Sequence, residues 1–447
     1  MQNDREMELD MKVAFMTLGC KVNFYETEKM MEKFQQAGFE VIEKVEKADI
    51  FVINTCTVTN MADRKSRQMI HRGKKKNKDM LVAAVGCYVE SDAESLKNDE
   101  QIDLVLGNKE KEQIVEHVLN WYRTKGFPEY RLTEGKPGFD YDFAHERTRA
   151  FVKVQDGCNQ FCTYCIIPYV RGRLKSREQA DVINEIEQLA QKGFKEVVIT
   201  GIHLSSYGVD KSECKSFLEL DGKPLLILLE EIEKIPQIRR IRLGSLEPRI
   251  ITENFLARLS KNKKICPHFH LSLQSGCNET LKRMNRHYTV EEYKEKCELI
   301  RHYFKYPAIT TDVIVGFPGE DEKEFQKTKA FLEEIQLADI HVFKYSVRSG
   351  TKAASMENQV PESEKTVRSN MILQLARCLY NDYAESFIGK NEKVLWEEFQ
   401  EKENEEYLTG HNERYVKIAV PKKDAIKNAY RENEVSEVYV RYVIKKS

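Results

Sequence analysis

Three cysteines within eight residues, Cys158, Cys162 and Cys165, stand in the run Asp156-Gly157-Cys158-Asn159-Gln160-Phe161-Cys162-Thr163-Tyr164-Cys165. A loop with that spacing can wrap a cuboidal iron-sulfur cluster and ligate three irons, leaving the fourth open to chemistry. Two other readings fit. Offsets of four and seven also align on a helix, so the three could be core residues on one helical face, although Gly157, Asn159 and Pro168 give the run a loop character. Zinc takes clustered thiolates too, but it would need a fourth ligand and no histidine lies close in sequence.

A second trio is dispersed. Cys20 follows a β-rich run ending at Leu18, Cys56 one ending at Asn54, and Cys87 one ending at Val85. In a parallel α/β sheet the carboxyl ends of neighbouring strands open onto one crevice, so three thiols at three strand ends can meet there. Each alone would pass for a small buried hydrophobe; the shared register makes them a candidate for a second cluster. Cys214, Cys266, Cys277, Cys297 and Cys378 lack ligand spacing and read as packing residues.

The elements that must position these thiols alternate strand and helix. Strands are expected at 13–18, 50–54, 81–85 and 104–106, with helices at 25–37, 62–75 and 112–122, giving a small parallel α/β domain over 11–125. A polar stretch with Pro and Gly over 126–145 reads as a linker. A longer series over 146–378 carries six expected strands, at 151–154, 196–200, 240–243, 268–273, 309–315 and 339–345, separated by helical patterns such as 177–191 and 290–303. Six units predict a partial β/α barrel, since a closed eightfold barrel takes about 250 residues. After a helix over 365–387, period-two strands at 393–399, 415–420 and 435–444 predict a small OB-like β-barrel over 383–447. The Glu-rich 401–406 segment reads as a solvated turn.

At 447 residues, 41% hydrophobic, the chain is long enough for about three domains. Its 71 basic and 72 acidic residues nearly cancel, so any nucleic-acid surface must be local. Residues 1–10 are polar, and no apolar run approaches the roughly 18 residues a membrane span needs; the expectation is a soluble, cytoplasmic protein with no membrane partner. Eleven cysteines in such a chain point to metal or redox chemistry rather than disulfides.

The three early cysteines, the C-x3-C-x2-C spacing with Tyr164 before its last cysteine, and the terminal β-barrel together resemble the radical SAM methylthiotransferases from Lys12 onward. Gly19-Cys20-Lys21-Val22-Asn23, Thr200-Gly201-Ile202-His203 and His341-Val342-Phe343-Lys344-Tyr345-Ser346 look most like members acting on threonylcarbamoyladenosine beside the tRNA anticodon, at position 37. The resemblance implies a radical SAM barrel, a terminal TRAM domain and two 4Fe-4S clusters. One, on Cys158, Cys162 and Cys165, would bind S-adenosylmethionine and, fed by an external electron donor, yield a 5′-deoxyadenosyl radical. The other, on Cys20, Cys56 and Cys87, would present a sulfur that a second S-adenosylmethionine methylates, and the methylthio group would join carbon 2 of the purine. An unactivated aromatic C–H bond calls for such a cofactor.

At the barrel's carboxyl-terminal edge, Tyr164, Gly201, Ser245, Glu247, Ser272, Gln274 and Gly316 are the candidates for holding S-adenosylmethionine; each also fits a plain structural role. For tRNA, the basic residues Arg64, Lys65, Arg67, Arg72, Lys74, Lys75, Lys76 and Lys78 read either as phosphate contacts or as a solvated helix face. Arg171, Arg173, Lys175 and Arg177 could guide a backbone toward the radical, and Tyr407, Tyr415, Tyr439 and Tyr442 suit base stacking or a core. The same chemistry on isopentenyladenosine or on a ribosomal protein aspartate, and a non-catalytic zinc-stabilised RNA-binding protein, are the rival readings.

Overall fold

The computed structural model describes residues 11–126, 148–211, 220–402 and 404–446. The expected linker and Cys214 lie almost wholly or wholly outside them. The chain forms two compact units: one holds the described residues up to 126 together with Tyr169–Gly172, and the other holds the rest.

The first unit is a five-stranded parallel sheet, in the order β2 (Glu40–Ile42), β1 (Lys12–Thr17), β3 (Ile50–Thr55), β4 (Leu81–Gly86), β5 (Leu104–Leu106). Every residue of β3 and β4 is buried. Their unbroken apolar runs are those of central strands covered on both faces. Helices α1 (Lys21–Gln36), α2 (Asn60–Lys76) and α3 (Cys87–Ser91) follow β1, β3 and β4 respectively. β2 escaped the sequence reading because three residues show no periodicity. The helix expected at 112 opens as a 3-10 turn, Glu110–Gln113, before Ile114–Thr124.

In the second unit six parallel strands make the partial barrel: β6 (Arg149–Asp156), β8 (Glu196–Gly201), β9 (Arg240–Leu243), β10 (His268–His270), β11 (Ala308–Val315) and β12 (Asp339–Lys344), with β7 (Lys175–Ser176) pairing antiparallel to β6. Single bridges, Ile241 to Ile265 and Leu246 to Leu271, join its two ladders. The strand expected to run to Leu273 stops early at His270; beyond it the pairing continues as single bridges, Leu271 to Leu246 and Gln274, at φ 72°, to Val313. The helices pack outside on an apolar core that includes Val152, Ile199, Phe269 and Val313.

The long helix Glu362–Glu385 leads to a five-stranded antiparallel sheet around Trp396, in the order β16 (Val435–Tyr439), β13 (Asn391–Lys402), β14 (Glu405–Asn412), β15 (Lys417–Pro421), β17 (Tyr442–Val443). The turn expected over 401–406 is the tip of the β13–β14 hairpin, so Glu401, Lys402, Glu405 and Glu406 lie in paired strand. β14 was missed because its buried positions include Gly410 and Asn412 rather than an apolar series.

A buried carboxylate docks this domain on the barrel. Glu196, on β8, is fully buried and receives Arg242 at 2.7 Å, Arg149 at 3.3 Å and Arg240 at 3.4 Å. Arg240 also donates to the carbonyls of Lys393 and His411, Arg242 to that of Glu413, and Arg149 to the Glu397 carboxylate. Tyr415 lies over the guanidinium groups of Arg149 and Arg242. It is therefore neither a free stacking platform nor a core residue. Tyr407 is half-buried, and Tyr439 and Tyr442 are more than half and half exposed.

Candidate functional site

The dispersed trio lies at one edge of the first sheet. Cys20 precedes α1, Cys56 directly follows β3 and Cys87 opens α3, and β1, β3 and β4 are adjacent strands. Cys20 is exposed; Cys56 and Cys87 are buried. Gly19, at φ 109°, is required here: a β-carbon would stand 2.7 Å from Cys56 Cβ and 2.9 Å from its Sγ. Asn23 ties these loops together, donating to the carbonyls of Leu18 and Thr55 at 2.7 and 3.0 Å. Burial pushes the Cys56 thiol up to about 11, and Cys87 and Cys20 press in the same direction. The amino ends of α1 and α3 bring the positive poles of two helices to the sulfurs.

The arginine expected to face a substrate is instead part of this site. Arg171, its side chain 1% exposed, donates through Nε to Cys87 Sγ at 3.2 Å, through Nη2 to Asn23 Oδ1 at 2.7 Å, and to both Glu26 oxygens at 2.8 and 3.1 Å. Glu26 also binds Lys111 at 2.7 Å. Arg177 likewise turns inward, to Glu185 and the Lys153 carbonyl. Arg173 and Lys175 stay exposed.

In the second unit the compact trio follows β6. The chain leaves the strand through Gly157 at φ 64° and turns again at Phe161, φ 50°. Cys158 is buried, with its thiol pushed up to about 11 by burial, and burial pushes Cys165 further in the same direction. The loop is clamped from outside. Thr163 bonds the carbonyls of Arg283 and Met284, and Asn285 donates to the Phe161 carbonyl. Arg286, half-buried, donates to Cys162 Sγ at 3.3 Å, with its guanidinium 4.9 Å from the Tyr288 ring. The reading as core residues on one helix fails, because 157–166 contains no helix.

The residues singled out for S-adenosylmethionine come from four neighbouring strand ends. Gly201 ends β8, where a β-carbon would meet Gln155 Oε1 at 2.8 Å. Ser245, exposed, and Glu247, buried, follow β9. Ser272 and Gln274 follow β10; the Ser272 carbonyl accepts from Tyr288 at 2.6 Å. Gly316, at φ 72°, follows β11 and lies against Lys365. Tyr164 packs edge-on against Phe317, next to Gly316. Burial opposes the charge of Glu247, but His203 and Arg249 outweigh it and hold the carboxyl down at about 2. Arg249 reaches on to Gln160 Oε1 at 2.9 Å, while Gln160 Nε2 is buried without a partner. An orphaned donor two residues from both Cys158 and Cys162 fits a site for a polar ligand.

All six thiols are free, and two sets of three soft sulfur donors suit iron-sulfur clusters. Sequence reasoning had no signal for Arg286, Arg249 or Glu26, whose contacts with Cys162, Gln160 and Arg171 cross 124, 89 and 145 residues.

Residues 12–107 match the Uncharacterized protein family UPF0004, and residues 152–332 match the Radical SAM superfamily. The threonylcarbamoyladenosine tRNA methylthiotransferase MtaB of Bacillus subtilis is 39% identical, over 91% of this chain and 89% of the relative. Its counterpart from Aquifex aeolicus is 40% identical, over 91% and 98%. The chain belongs to the radical SAM tRNA methylthiotransferases.

The tRNA-2-methylthio-N(6)-dimethylallyladenosine synthase of Dictyoglomus thermophilum is 36% identical, over 90% of this chain and 91% of the relative. A solved structure of the radical S-adenosylmethionine methyltransferase TsrM from Kitasatospora setae, with cobalamin and a 4Fe-4S cluster bound, aligns at TM-score 0.56 and 16% identity over 77% of each chain, a likeness of fold. This methylthiotransferase is therefore an enzyme whose cofactors are S-adenosylmethionine and 4Fe-4S clusters, as the family resemblance implied. Among the described residues no helix is long and apolar enough to cross a membrane.

Proposed function

We propose that this methylthiotransferase acts on N6-threonylcarbamoyladenosine at position 37, in the anticodon stem-loop of cytoplasmic tRNA, replacing the hydrogen on carbon 2 by a methylthio group. The observation that carries the reading is the pair of thiol trios, each with an arginine donating to one sulfur; the names of similar relatives support the choice of base. Cys158, Cys162 and Cys165 hold the cluster that takes an electron from an external donor, and Cys20, Cys56 and Cys87 hold the sulfur-bearing one. S-adenosylmethionine, when bound, supplies the 5′-deoxyadenosyl radical and the methyl group. Tyr164, Gly201, Ser245, Glu247, Ser272, Gln274 and Gly316 bind and orient it. Three domains divide the work: 11–125 for sulfur, 146–378 for the radical, 383–447 for tRNA.

The test is mass spectrometry of nucleosides from a strain lacking the gene and from the same strain complemented. Loss and return of 2-methylthio-N6-threonylcarbamoyladenosine supports the reading. Loss of the dimethylallyl product instead, or of a modified ribosomal protein aspartate, transfers the chemistry to that target. A colourless, zinc-containing preparation that forms no 5′-deoxyadenosine sinks it altogether.

A further inference from the structure

The concave face of the partial barrel carries a cluster that the cysteine chemistry does not use. β10, β11 and β12 are adjacent parallel strands, with His270 opposite Thr310 and Asp312 opposite His341. Side chains two residues apart on a strand share a face, so His270, Thr310, Asp312 and His341 point the same way. Their neighbours Phe269, Ile309, Val313 and Ile340 point into the helix-covered core. Asp312 gives one oxygen to each imidazole: Oδ2 lies 3.2 Å from His270 Nε2 and Oδ1 lies 3.3 Å from His341 Nδ1. One ligand atom from each residue falls within 4.8 Å of the other two. The two rings stack at 5.3 Å, 22° apart.

Donors bonded at about 2.0 to 2.1 Å to a common ion stand about 2.9 to 3.4 Å apart, a range that holds both imidazole–carboxylate separations, each made to its own oxygen of Asp312. A supporting bond is already made: Thr310 Oγ1 lies 2.9 Å from His270 Nδ1, fixing the ring with Nε2 toward Asp312, as outer-shell partners of metal-bound histidines do. His270 is 9% exposed, whereas the His341 side chain is half exposed, so the cluster has a closed side and an open one. Asp339 adds a carboxylate 3.8 Å from His341 Nε2 on that open side.

We infer that His270, Asp312 and His341 form a binding site for a divalent first-row transition-metal cation, additional to the two cysteine trios. Two imidazoles and one carboxylate suit zinc, iron(II) or manganese(II) rather than calcium or magnesium. The remaining coordination positions face the exposed edge of His341, where water or an oxygen donor of a bound ligand completes the shell. The site does not depend on which adenosine the enzyme modifies.

Manganese(II) is the probe. Titrated into the anaerobically reconstituted holoenzyme with its clusters oxidised and EPR-silent, it is counted by the six-line EPR signal of the free ion. We expect one saturable site per chain, displaced by zinc. His341→Gln and Asp312→Asn should each weaken it at least tenfold, and His302→Gln, at an exposed helix position, should leave it unchanged. Should Asp312→Asn fail to fold, His341→Gln, at a half-exposed side chain, decides alone, with iron content and circular dichroism reporting an intact fold. No saturable binding, or binding equally tight in His341→Gln, would mean that Asp312 merely accepts two imidazole hydrogen bonds, and overturns the inference.

Discussion

Arg171 Nε stands 3.2 Å from Cys87 Sγ, although 84 residues separate the two and Arg171 follows Cys165 by only six. The same short stretch of chain thus leaves the compact trio and supplies a cation to the dispersed one. A guanidinium that donates to a thiolate stabilises its charge, and Glu26 and Asn23 fix the direction of that donation. Arg171→Ala would leave Glu26 without its fork and take from Cys87 the donor at 3.2 Å, leaving Asn108 Nδ2 at 3.9 Å. Retained iron should fall from about eight to about four per chain, for two four-iron clusters, while 5′-deoxyadenosine formation continues. Arg171→Lys keeps the charge but not the fork geometry; we expect partial iron and an altered EPR spectrum of the reduced auxiliary cluster. Full iron in Arg171→Ala would show that the contact is dispensable.

The two trios should separate by phenotype. On the proposed assignment Cys158→Ala removes a ligand of the cluster that cleaves S-adenosylmethionine, so both 5′-deoxyadenosine and methylthiolated tRNA should vanish. Cys56→Ala should abolish only the second. Chromatography of both products from one anaerobic reaction checks this, and joint loss in Cys56→Ala would contradict the division of roles.

The placement of the cysteines was legible because its evidence is local: three within eight residues, or a position just past an apolar run. Strand and helix order was legible for the same reason, with ends misplaced by a few residues at His270 and Glu112 where pairing rather than propensity decides. Contacts across long separations were not. Arg171 reads in sequence as one of four exposed bases, and its burial depends on Asn23 and Glu26, which lie 148 and 145 residues away. Arg286, 124 residues from Cys162, carries no local signal. His270, Asp312 and His341 are likewise ordinary residues of three strands until the register aligns them.

With Tyr415 committed to Arg149 and Arg242, Tyr439 and Tyr442 are the exposed tyrosines left for tRNA among the described residues of the terminal domain. Removing everything after Phe387 is a poor test, since it strips Arg240 and Arg242 of their carbonyl partners. Tyr439→Ala and Tyr442→Ala leave that interface alone. If either ring stacks on a base, its loss should weaken tRNA binding by about 1–3 kcal/mol, read in a gel-shift titration. Unchanged affinity in the double variant would assign these rings to no RNA contact.

Glu196 is the acid on which the barrel and the terminal domain converge. Burial works against its charge, but Arg242, Arg149 and Arg240 outweigh it and hold the carboxyl well below the usual carboxylate range. Glu196→Gln leaves three arginines facing a neutral amide, and breaking such a buried network costs about 3–5 kcal/mol. The pH dependence has a definite sign. A carboxylate with a lowered folded-state pKa contributes stability that is fully present above its unfolded value, about 4.3, and that is lost as pH falls toward the folded one. Wild-type stability should therefore decline below about pH 4.3 more steeply than that of Glu196→Gln, whose neutral side chain does not titrate. Denaturant unfolding at pH 7 and pH 3.5 measures both: a gap between the two proteins that is as wide at pH 3.5 as at pH 7 would rule out Glu196 as an ionised anchor.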